Sequence, residues 1–330
     1  MKRKFVTEFG LGYMNSYTSI VTAHQLLLGG DIDPADQENL NKCHIYIIAA
    51  RPSPYFKPEK LKHENHMLSG SVCYRIDGVE HEIPFEGYPW KLDGNDFKVE
   101  CKYPFREVVS CNLDGKKGDT YVPASALTLM YLREDDRGAC DLNRYETLYV
   151  GQAFGQGNRS AHDRLKSHST LQKILAMTNH DYPDKEIMIF MYQFENDQIF
   201  TSIDGRAKDA DNSDRNEMRL MNTIRNPPNK QQKIGMIEAG LIRYFQPRYN
   251  EIFKIKFPST KHKVLKSCYE LDVTSLIVEL DSTDLNYYMC SPTVAAKNHH
   301  IVKLDLVSSK ERYSFFHATG FVEMPDIIKG

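Results

Sequence analysis

Several common signals of protein class are missing from this chain of 330 residues. No run approaches the roughly 18 consecutive apolar residues of a membrane span, so no membrane partner is expected. The N-terminal MKRKFVTEFG has basic residues but no apolar stretch after them, which argues against a secretory signal. Seven cysteines occur without any CxxC pair. They indicate reduced thiols and a cytoplasmic location rather than a disulfide framework or a zinc ribbon.

Excess positive charge is missing as well. The formal net charge is −2, so a protein that coats DNA through a globally basic surface is excluded. A local basic groove stays compatible with this composition, because only the face that meets phosphate must be positive. The glycine-rich GQAFGQGNR lacks the Gly-Lys-Ser/Thr ending of a P-loop, and no Gly-x-Ser-x-Gly elbow occurs. Nucleotide-cradling and serine-hydrolase signatures are therefore absent.

The pattern of apolar residues divides the chain into three segments. Residues 1–118 and 256–330 are predicted to be β-rich, and residues 119–255 alternate strands with helices. A polar stretch at 208–217 in the central segment predicts an exposed insertion. The expected fold class is therefore α/β of the α+β type, with a mixed centre between two β-rich segments.

Individual elements follow from local signals. Asp77-Gly78 between two strand-like runs predicts a β-hairpin. Other apolar runs rich in β-branched and aromatic residues predict strands at 44–50, 126–132, 147–154, 186–194 and 312–318. Helical periodicity and end signals predict helices at 17–28, 159–177 and 234–245.

The last of these helices contains one residue that does not fit. An apolar stripe at helical spacing is formed by Ile234, Ile237, Leu241, Ile242 and Phe245. Glu238, four residues after Ile234, lies on the same stripe. A carboxylate on a core-facing stripe costs free energy unless it is paired, protonated or bound to a metal ion. Glu238 is therefore a candidate functional residue, although pairing with Arg243 or Arg248 would also explain it.

Upstream residues supply groups that would complement this carboxylate. Tyr149 ends a predicted strand, and Arg164 and His168 are four residues apart on the next helix. A carboxylate can hold a divalent ion that polarises a phosphate, and a guanidinium can neutralise the charge that develops on it. A phenol or an imidazole can take a proton from the attacking water. The set suits phosphodiester hydrolysis, although Arg164 and His168 taken alone would also suit a solvated helix face.

In their order along the chain these residues resemble the GIY-YIG nuclease superfamily, over about residues 119–255. Tyr149-Val150-Gly151 matches the second triplet of that family, and Tyr131 corresponds to the tyrosine of the first triplet. Arg164 matches the family's helix arginine, and His168 resembles a residue of the restriction-enzyme branch. Glu238 falls on the metal-binding glutamate. The ending Gln246-Pro247-Arg248-Tyr249-Asn250 is similar to the family ending and to excision-repair nuclease subunits.

The resemblance implies a small three-stranded antiparallel sheet flanked by helices, and an activity on DNA. It also implies an insertion at about 196–233, because the stretch from the third strand to Glu238 is longer than the minimal core of that family. It implies that Glu238 holds one Mg²⁺ or Mn²⁺ and that Arg164 contacts the scissile phosphate. Either Tyr149 or His168 would be the general base. The resemblance also implies that Tyr131 orients water or phosphate and that Asn250 braces the site by hydrogen bonds. Arg159 and Lys166 would contact flanking phosphates.

The expected function is thus a metal-dependent DNA endonuclease, in a restriction or phage-defence role. The flanking segments would recognise DNA or a partner. One site cuts one strand at a time, so cleavage of both strands would need a homodimer or two successive nicks. Two alternatives stay open at this level: a non-catalytic scaffold that keeps a degenerate nuclease fold, and a nuclease for RNA or for branched or modified DNA.

Overall fold

A computed structural model describes residues 3–28, 34–92, 96–112, 114–131, 139–153, 161–165, 167–308 and 311–319. Strands and helices are mixed along the whole described chain. The predicted α+β class is therefore confirmed at this coarse level. Within these residues, no helix is both long enough and apolar enough to cross a membrane.

The strands of the described chain are numbered in chain order. They are β1 (Thr7–Met14), β2 (Tyr17–Thr22), β3 (Ile45–Pro52), β4 (Tyr55–Phe56), β5 (Lys62–Glu64), β6 (Met67–Ile76), β7 (Val79–Pro89), β8 (Asp96–Glu100), β9 (Glu107–Asn112), β10 (Lys117–Pro123), β11 (Arg144–Gln152), β12 (Lys185–Gln193), β13 (Asn196–Ile203), β14 (Ser275–Asp281), β15 (Tyr288–Ser291), β16 (Val294–Lys297) and β17 (His299–Asp305).

The helices are numbered in the same way. They are α1 (Ala23–Leu28), α2 (Pro34–Lys42), α3 (Ala124–Met130), α4 (Ala139–Leu142), α5 (Ala161–Leu165), α6 (Ser169–Asp181), α7 (Asp214–Arg225), α8 (Lys230–Phe245), α9 (Lys266–Glu270) and α10 (Phe315–Ala318). Short 3₁₀ turns occupy Pro58–Lys60, Lys263–Leu265 and Thr283–Leu285.

The chain folds into two compact units whose boundaries differ from the three predicted segments. The first unit contains residues 1–49, 146–172 and 189–330, and the second contains 50–145 and 173–188. The second unit is thus built largely from one long stretch of chain between β3 and β11. Both units draw on the predicted N-terminal and central segments.

In the first unit, one sheet has the strand order β13-β1-β14-β17. Strand β1 pairs antiparallel with β13 and parallel with β14. Helix α8 lies against this sheet, where an added Cβ at Gly240 would be only 3.2 Å from Val278 Cγ2. The five apolar residues of the predicted stripe in α8 are all buried. That prediction is confirmed, and the stripe anchors the helix that carries Glu238.

A second sheet has the order β16-β15-β11-β3-β12-β2. Strand β3 lies between β11 and β12, so three of the predicted strands are neighbours. Seven of the eight residues of β3 are buried. A continuous apolar run of this kind is typical of a strand that is covered on both faces.

The second unit contains the predicted hairpin. Strands β6 and β7 pair antiparallel with Ile76 opposite Val79. The turn residues Asp77 and Gly78 have φ of 50° and 79°, as a two-residue type I′ turn requires. Because glycine adopts positive φ without a steric penalty, this turn is encoded locally.

Three element predictions are wrong. Residues 126–130 are not a strand, because helix formers dominate the stretch that becomes α3. Residue 132 of that prediction lies outside the described residues. Residues 17–28 are not one helix, because the β-branched and aromatic residues of 17–22 form β2. Residues 312–318 end in the short helix α10 rather than in a strand. The helix predicted over 159–177 is two helices, α5 and α6.

The second unit also encloses a fully buried arginine, Arg51. Its guanidinium uses all five N–H donors. The acceptors are Glu186 Oε1 at 2.7 Å, Leu142 O at 2.9 Å, Tyr145 Oη at 3.0 Å, Ser125 O at 3.1 Å and Thr128 Oγ1 at 3.1 Å. A buried charge that is paired and fully hydrogen-bonded in this way connects α3 and α4 to the strands.

We expect Arg51→Met to lower the free energy of unfolding by about 3–5 kcal/mol, because it leaves the enclosed Glu186 carboxylate without its partner. Arg144→Met is the control, since its pair with Asp141 spans 3.8 Å and its side chain is 57% exposed. The control should change stability by about 0–1 kcal/mol. Denaturant unfolding curves for both variants measure the difference, and equal losses would contradict the prediction.

Candidate active site

Residues 149–152 of β11 make a series of contacts within the first unit. The backbone N–H of Val150 donates to Asn250 Oδ1 over 2.9 Å, and Asn250 Nδ2 donates back to Val150 O over 2.8 Å. The backbone N–H of Tyr249 donates to Leu148 O over 3.0 Å. The Pro-Arg-Tyr-Asn ending therefore pairs with β11 as a short strand would, and buried Asn250 braces the segment that holds Tyr149.

Tyr46 of the neighbouring strand β3 lies against Gly151. A Cβ added to Gly151 would stand 2.5 Å from Tyr46 Cζ and Oη, a distance at which atoms overlap. Only glycine at position 151 therefore leaves room for the Tyr46 ring. The rings of Tyr46 and Tyr149 have centroids 6.1 Å apart, and a hydrogen bond joins the two hydroxyls.

The Tyr46 hydroxyl also connects two other predicted site residues. Arg164 Nε donates to it over 3.4 Å, and His168 Nε2 lies 3.2 Å from it. The His168 ring is 5.7 Å from that of Tyr46 and 5.6 Å from that of Tyr149, between centroids. Three aromatic rings are thus in mutual contact, and the guanidinium of Arg164 contacts one of them, that of Tyr46, through its hydroxyl. Tyr46 is fully buried, whereas Tyr149, Arg164 and His168 are partly accessible.

Glu238 joins this group from helix α8. Gln152 donates to its carboxylate from the side-chain amide and from the backbone N–H. The side chain is largely enclosed but keeps some exposure to solvent. Burial raises the pKa of Glu238 from 4.5 to about 7, while the charge of Arg164 and the Gln152 hydrogen bonds act in the opposite direction. Ionised Glu238 is therefore poorly solvated and would be stabilised by a cation.

The structural explanation left open for Glu238 was a pair with Arg243 or Arg248. The guanidinium whose charge acts on Glu238 is that of Arg164. Arg243 Nη1 donates to the backbone carbonyl of Lys254 over 2.6 Å, and Arg248 lies over the ring of Tyr249. Glu238 is thus directed toward the tyrosines and Arg164 rather than toward the end of its own helix.

Both phenols of the site hold their protons firmly. Burial raises the pKa of the Tyr46 hydroxyl above its ordinary value, and Arg164 opposes this only in part. Burial, followed by the charge of Glu238, raises the pKa of Tyr149. A phenolate is therefore disfavoured near neutral pH. This property weighs against Tyr149 as the general base and leaves the imidazole of His168 as the other group predicted for that role.

The prediction that placed Tyr131 in the first triplet requires a correction. Tyr131 follows helix α3 in the second unit, where its hydroxyl donates to the backbone carbonyl of Glu86 and its ring packs on Tyr88. The tyrosine that meets Tyr149, Arg164 and His168 is Tyr46, in His44-Ile45-Tyr46. The other two predicted contacts, Arg159 and Lys166, lie outside the described residues.

Tyr46 and Gln152 were missed from sequence. A signal for Tyr46 was present, since HIYIIAA is a recognisable buried strand that begins with an Ile-Tyr pair. About 100 residues separate Tyr46 from Tyr149, whereas Tyr131 lies close to Tyr149 along the chain, so the order of motifs points to Tyr131. Nothing local distinguishes Gln152, because its role depends on a helix that lies far along the chain.

The donor set is compatible with Mg²⁺ or Mn²⁺ bound mainly by water and substrate. In the part of the chain that the structure describes, no three His, Cys, Asp or Glu side chains form a metal-binding group. Mg²⁺ is commonly held by one or two carboxylates, while water and phosphate oxygens complete its shell. A single accessible carboxylate with a raised pKa, as at Glu238, fits that mode rather than a closed protein cage.

This chain was compared with protein families, curated proteins and solved structures. No family model, no curated protein and no solved structure matches this chain.

The raised pKa of Glu238 predicts a pH-dependent stability. Because the folded state favours the protonated carboxyl, this contribution to stability is present below about pH 4.5 and is lost as pH rises through about 7. The side chain in Glu238→Gln is neutral at every pH. As pH rises from acidic to alkaline, the free energy of unfolding of this variant should therefore increase by about 1–3 kcal/mol relative to that of the wild type. Unfolding curves at several pH values test this, with exposed Glu251→Gln as the control. The same difference in free energy of unfolding between Glu238→Gln and the wild type at every pH would contradict the prediction.

Proposed function

We propose that this protein is a metal-dependent endonuclease that hydrolyses DNA phosphodiester bonds, with a site of the GIY-YIG kind. The observation that carries the proposal is the convergence of Tyr149, Arg164, His168 and Glu238 within one unit. These residues lie on β11, α5, the α5–α6 connection and α8. A restriction or phage-defence role is the biological setting we propose.

Each group has a distinct role in this chemistry. Arg164 would neutralise the charge that develops on the scissile phosphate, because a fixed guanidinium is effective in an enclosed site. Its Nε is fixed by Tyr46, which leaves the outer nitrogens to face the substrate. His168 would take the proton of the attacking water, and Tyr149 would orient that water by a hydrogen bond.

Glu238 would hold the Mg²⁺ or Mn²⁺, and the ion would polarise the phosphate and stabilise the leaving oxygen. Gln152 keeps the carboxylate in place through two hydrogen bonds. Asn250 fixes the backbone at Val150, between Tyr149 and Gly151. Tyr46 does not reach solvent, so it acts as a positioning residue behind Arg164 and His168.

The competing function is a scaffold with a degenerate nuclease fold. A scaffold would be favoured if Tyr131, Tyr149, Arg164 and Glu238 did not meet in one cleft, or if Glu238 were salt-bridged to a neighbour and shielded from solvent. Tyr131 contacts Glu86 and Tyr88 instead, which favours the scaffold. The interaction of Glu238 with Tyr149 and Arg164, and its remaining exposure to solvent, favour the nuclease. A nuclease for RNA or for branched or modified DNA would use the same chemistry. Cleavage assays on a panel of such substrates with a divalent ion separate these possibilities.

Glu238→Ala and Arg164→Ala should each lower Mg²⁺-dependent nicking of supercoiled plasmid by about 100-fold or more, because the first removes the proposed metal ligand and the second removes the cation that neutralises the phosphate. Exposed Glu217→Ala on α7 is the matched control for the loss of a carboxylate. Thermal unfolding of each variant shows that the fold is kept. Undiminished cutting by Glu238→Ala would refute the proposal.

Tyr46→Phe and Tyr131→Phe form a matched pair that tests the corrected tyrosine. Tyr46→Phe removes the oxygen that fixes Arg164 Nε and His168 Nε2, so we expect turnover to fall about 10–100-fold. Tyr131→Phe removes only a bond to Glu86 in the second unit and should leave turnover unchanged. Nicking rates at saturating DNA provide the comparison. Equal effects of the two substitutions would contradict the placement of Tyr46.

A further inference from the structure

The segment that follows Asn250 is strongly basic. Residues 251–266 read EIFKIKFPSTKHKVLK and carry five lysines, and no aspartate or glutamate occurs from 252 to 269. The whole chain, by contrast, has a formal net charge of −2. This segment, which we call the lysine loop, is therefore a local concentration of positive charge.

The lysine loop is attached to both halves of the helix that carries Glu238. Near the end of α8, Arg243 Nη1 and Gln246 Nε2 donate to the carbonyl of Lys254 over 2.6 and 2.5 Å. Further along the loop, Val264 packs at Gly235, where an added Cβ would lie 2.7 Å from Val264 Cγ1. Glu238 lies on the helix between these two attachments.

Helix geometry places the loop beside the site. Gly235 and Gln246 are about 16 Å apart along the axis and about 20° apart around it, at 1.5 Å and 100° per residue. Glu238 is about 5 Å from Gly235 along the axis and about 60° away around it. The attachments at Gly235, Gln246 and Arg243 lie about 60°, 80° and 140° around the helix from Glu238. The lysine loop thus runs along the face adjacent to the one that bears the carboxylate, over a length that corresponds to about nine phosphate charges of a DNA duplex.

The loop is held by its own small core. Phe257 is buried, and its ring contacts Phe253 and His262 at centroid distances of 5.6 and 5.5 Å. Burial lowers the pKa of His262, so this ring packs as a neutral group. The aromatic contacts fix the backbone that presents the lysines.

Three of the lysines point into solvent without an acidic partner. Lys256, Lys261 and Lys263 are exposed, and within the described residues none of them forms an ion pair. Lys266, at the end of the loop, pairs with Glu270 over 3.6 Å. Elsewhere, lysines such as Lys57 lie close to glutamates. Exposed cations without partners beside a carboxylate site suit a polyanion.

We propose that Lys256, Lys261 and Lys263 contact backbone phosphates of the DNA that the Glu238 site cuts, and so hold the strand along α8. The identification of the polyanion as DNA rests on the proposed function. Contacts of this kind position a nucleic acid but do not read its sequence. The loop therefore contributes affinity and alignment, while sequence recognition comes from other surfaces.

The test measures DNA binding apart from cleavage. In a Glu238→Gln background with EDTA, the affinity for a fluorescent duplex is followed between about 50 and 200 mM salt. Combined Lys256→Gln, Lys261→Gln and Lys263→Gln should weaken binding by about tenfold or more and lower the salt slope by about three, since each phosphate contact contributes about 0.9. The control carries Lys62→Gln, Lys91→Gln and Lys116→Gln, three exposed lysines of the second unit.

The outcomes separate this inference from the proposed function. Loop-dependent binding by a protein that does not cut DNA would support the inference while the nuclease proposal fails. If the loop variant cuts and binds DNA as well as the wild type does, the inference about the loop is refuted and the nuclease proposal stands. An equal loss in the control variant would also refute it, because the effect would then be one of net charge.

An acidic lipid surface is the alternative occupant, since Ile252 and Ile255 are 71% and 68% exposed next to the lysines. Loop-dependent binding to vesicles of anionic lipid, without binding to the duplex, would overturn the proposal. Binding to the duplex with no binding to such vesicles would support it.

Discussion

The enclosure of one carboxylate, Glu238, is the constraint on which the candidate site depends. A carboxylate removed from most of its water is stable only if other groups replace that water. Gln152 supplies two hydrogen bonds and Arg164 supplies charge, yet burial still dominates and raises the pKa of Glu238 to about 7. The site therefore retains an electrostatic preference for an added cation, which is the property that metal-assisted phosphodiester hydrolysis uses.

Strand β11 organises the other groups around this carboxylate. Tyr149 contributes a ring and a hydroxyl, Val150 is clamped by Asn250, Gly151 leaves room for Tyr46, and Gln152 reaches Glu238. Four consecutive residues thus connect the second sheet to helix α8. A glycine within a strand weakens the strand itself, so the presence of Gly151 near the end of β11 is explained by the close approach of the Tyr46 ring.

Helix α8 couples the site to the rest of the first unit. Its apolar stripe packs into the core, and this packing stabilises a helix that also carries an unfavourable carboxylate. The ends of the lysine loop are attached to the same helix. Under our proposals, a metal ligand on this helix and lysines on a loop attached to it would keep the scissile phosphate and its neighbours in a fixed relation, which is the geometric requirement for catalysis by positioning.

The sequence by itself determined the features that depend on local pattern. The stripe of α8 predicted its buried face and the anomaly at Glu238, and Asp77-Gly78 predicted the hairpin. Tyr149, Arg164, His168 and Asn250 were selected by ordered motifs, and the structure places them around β11 and Tyr46. Tertiary structure alone decided between Tyr131 and Tyr46. Residues 53–143 of the second unit separate the neighbouring strands β3 and β11, and pairing across so long a connection leaves no periodicity in the sequence. Likewise, Gln152 became a partner of Glu238 only because packing brings the end of β11 against α8.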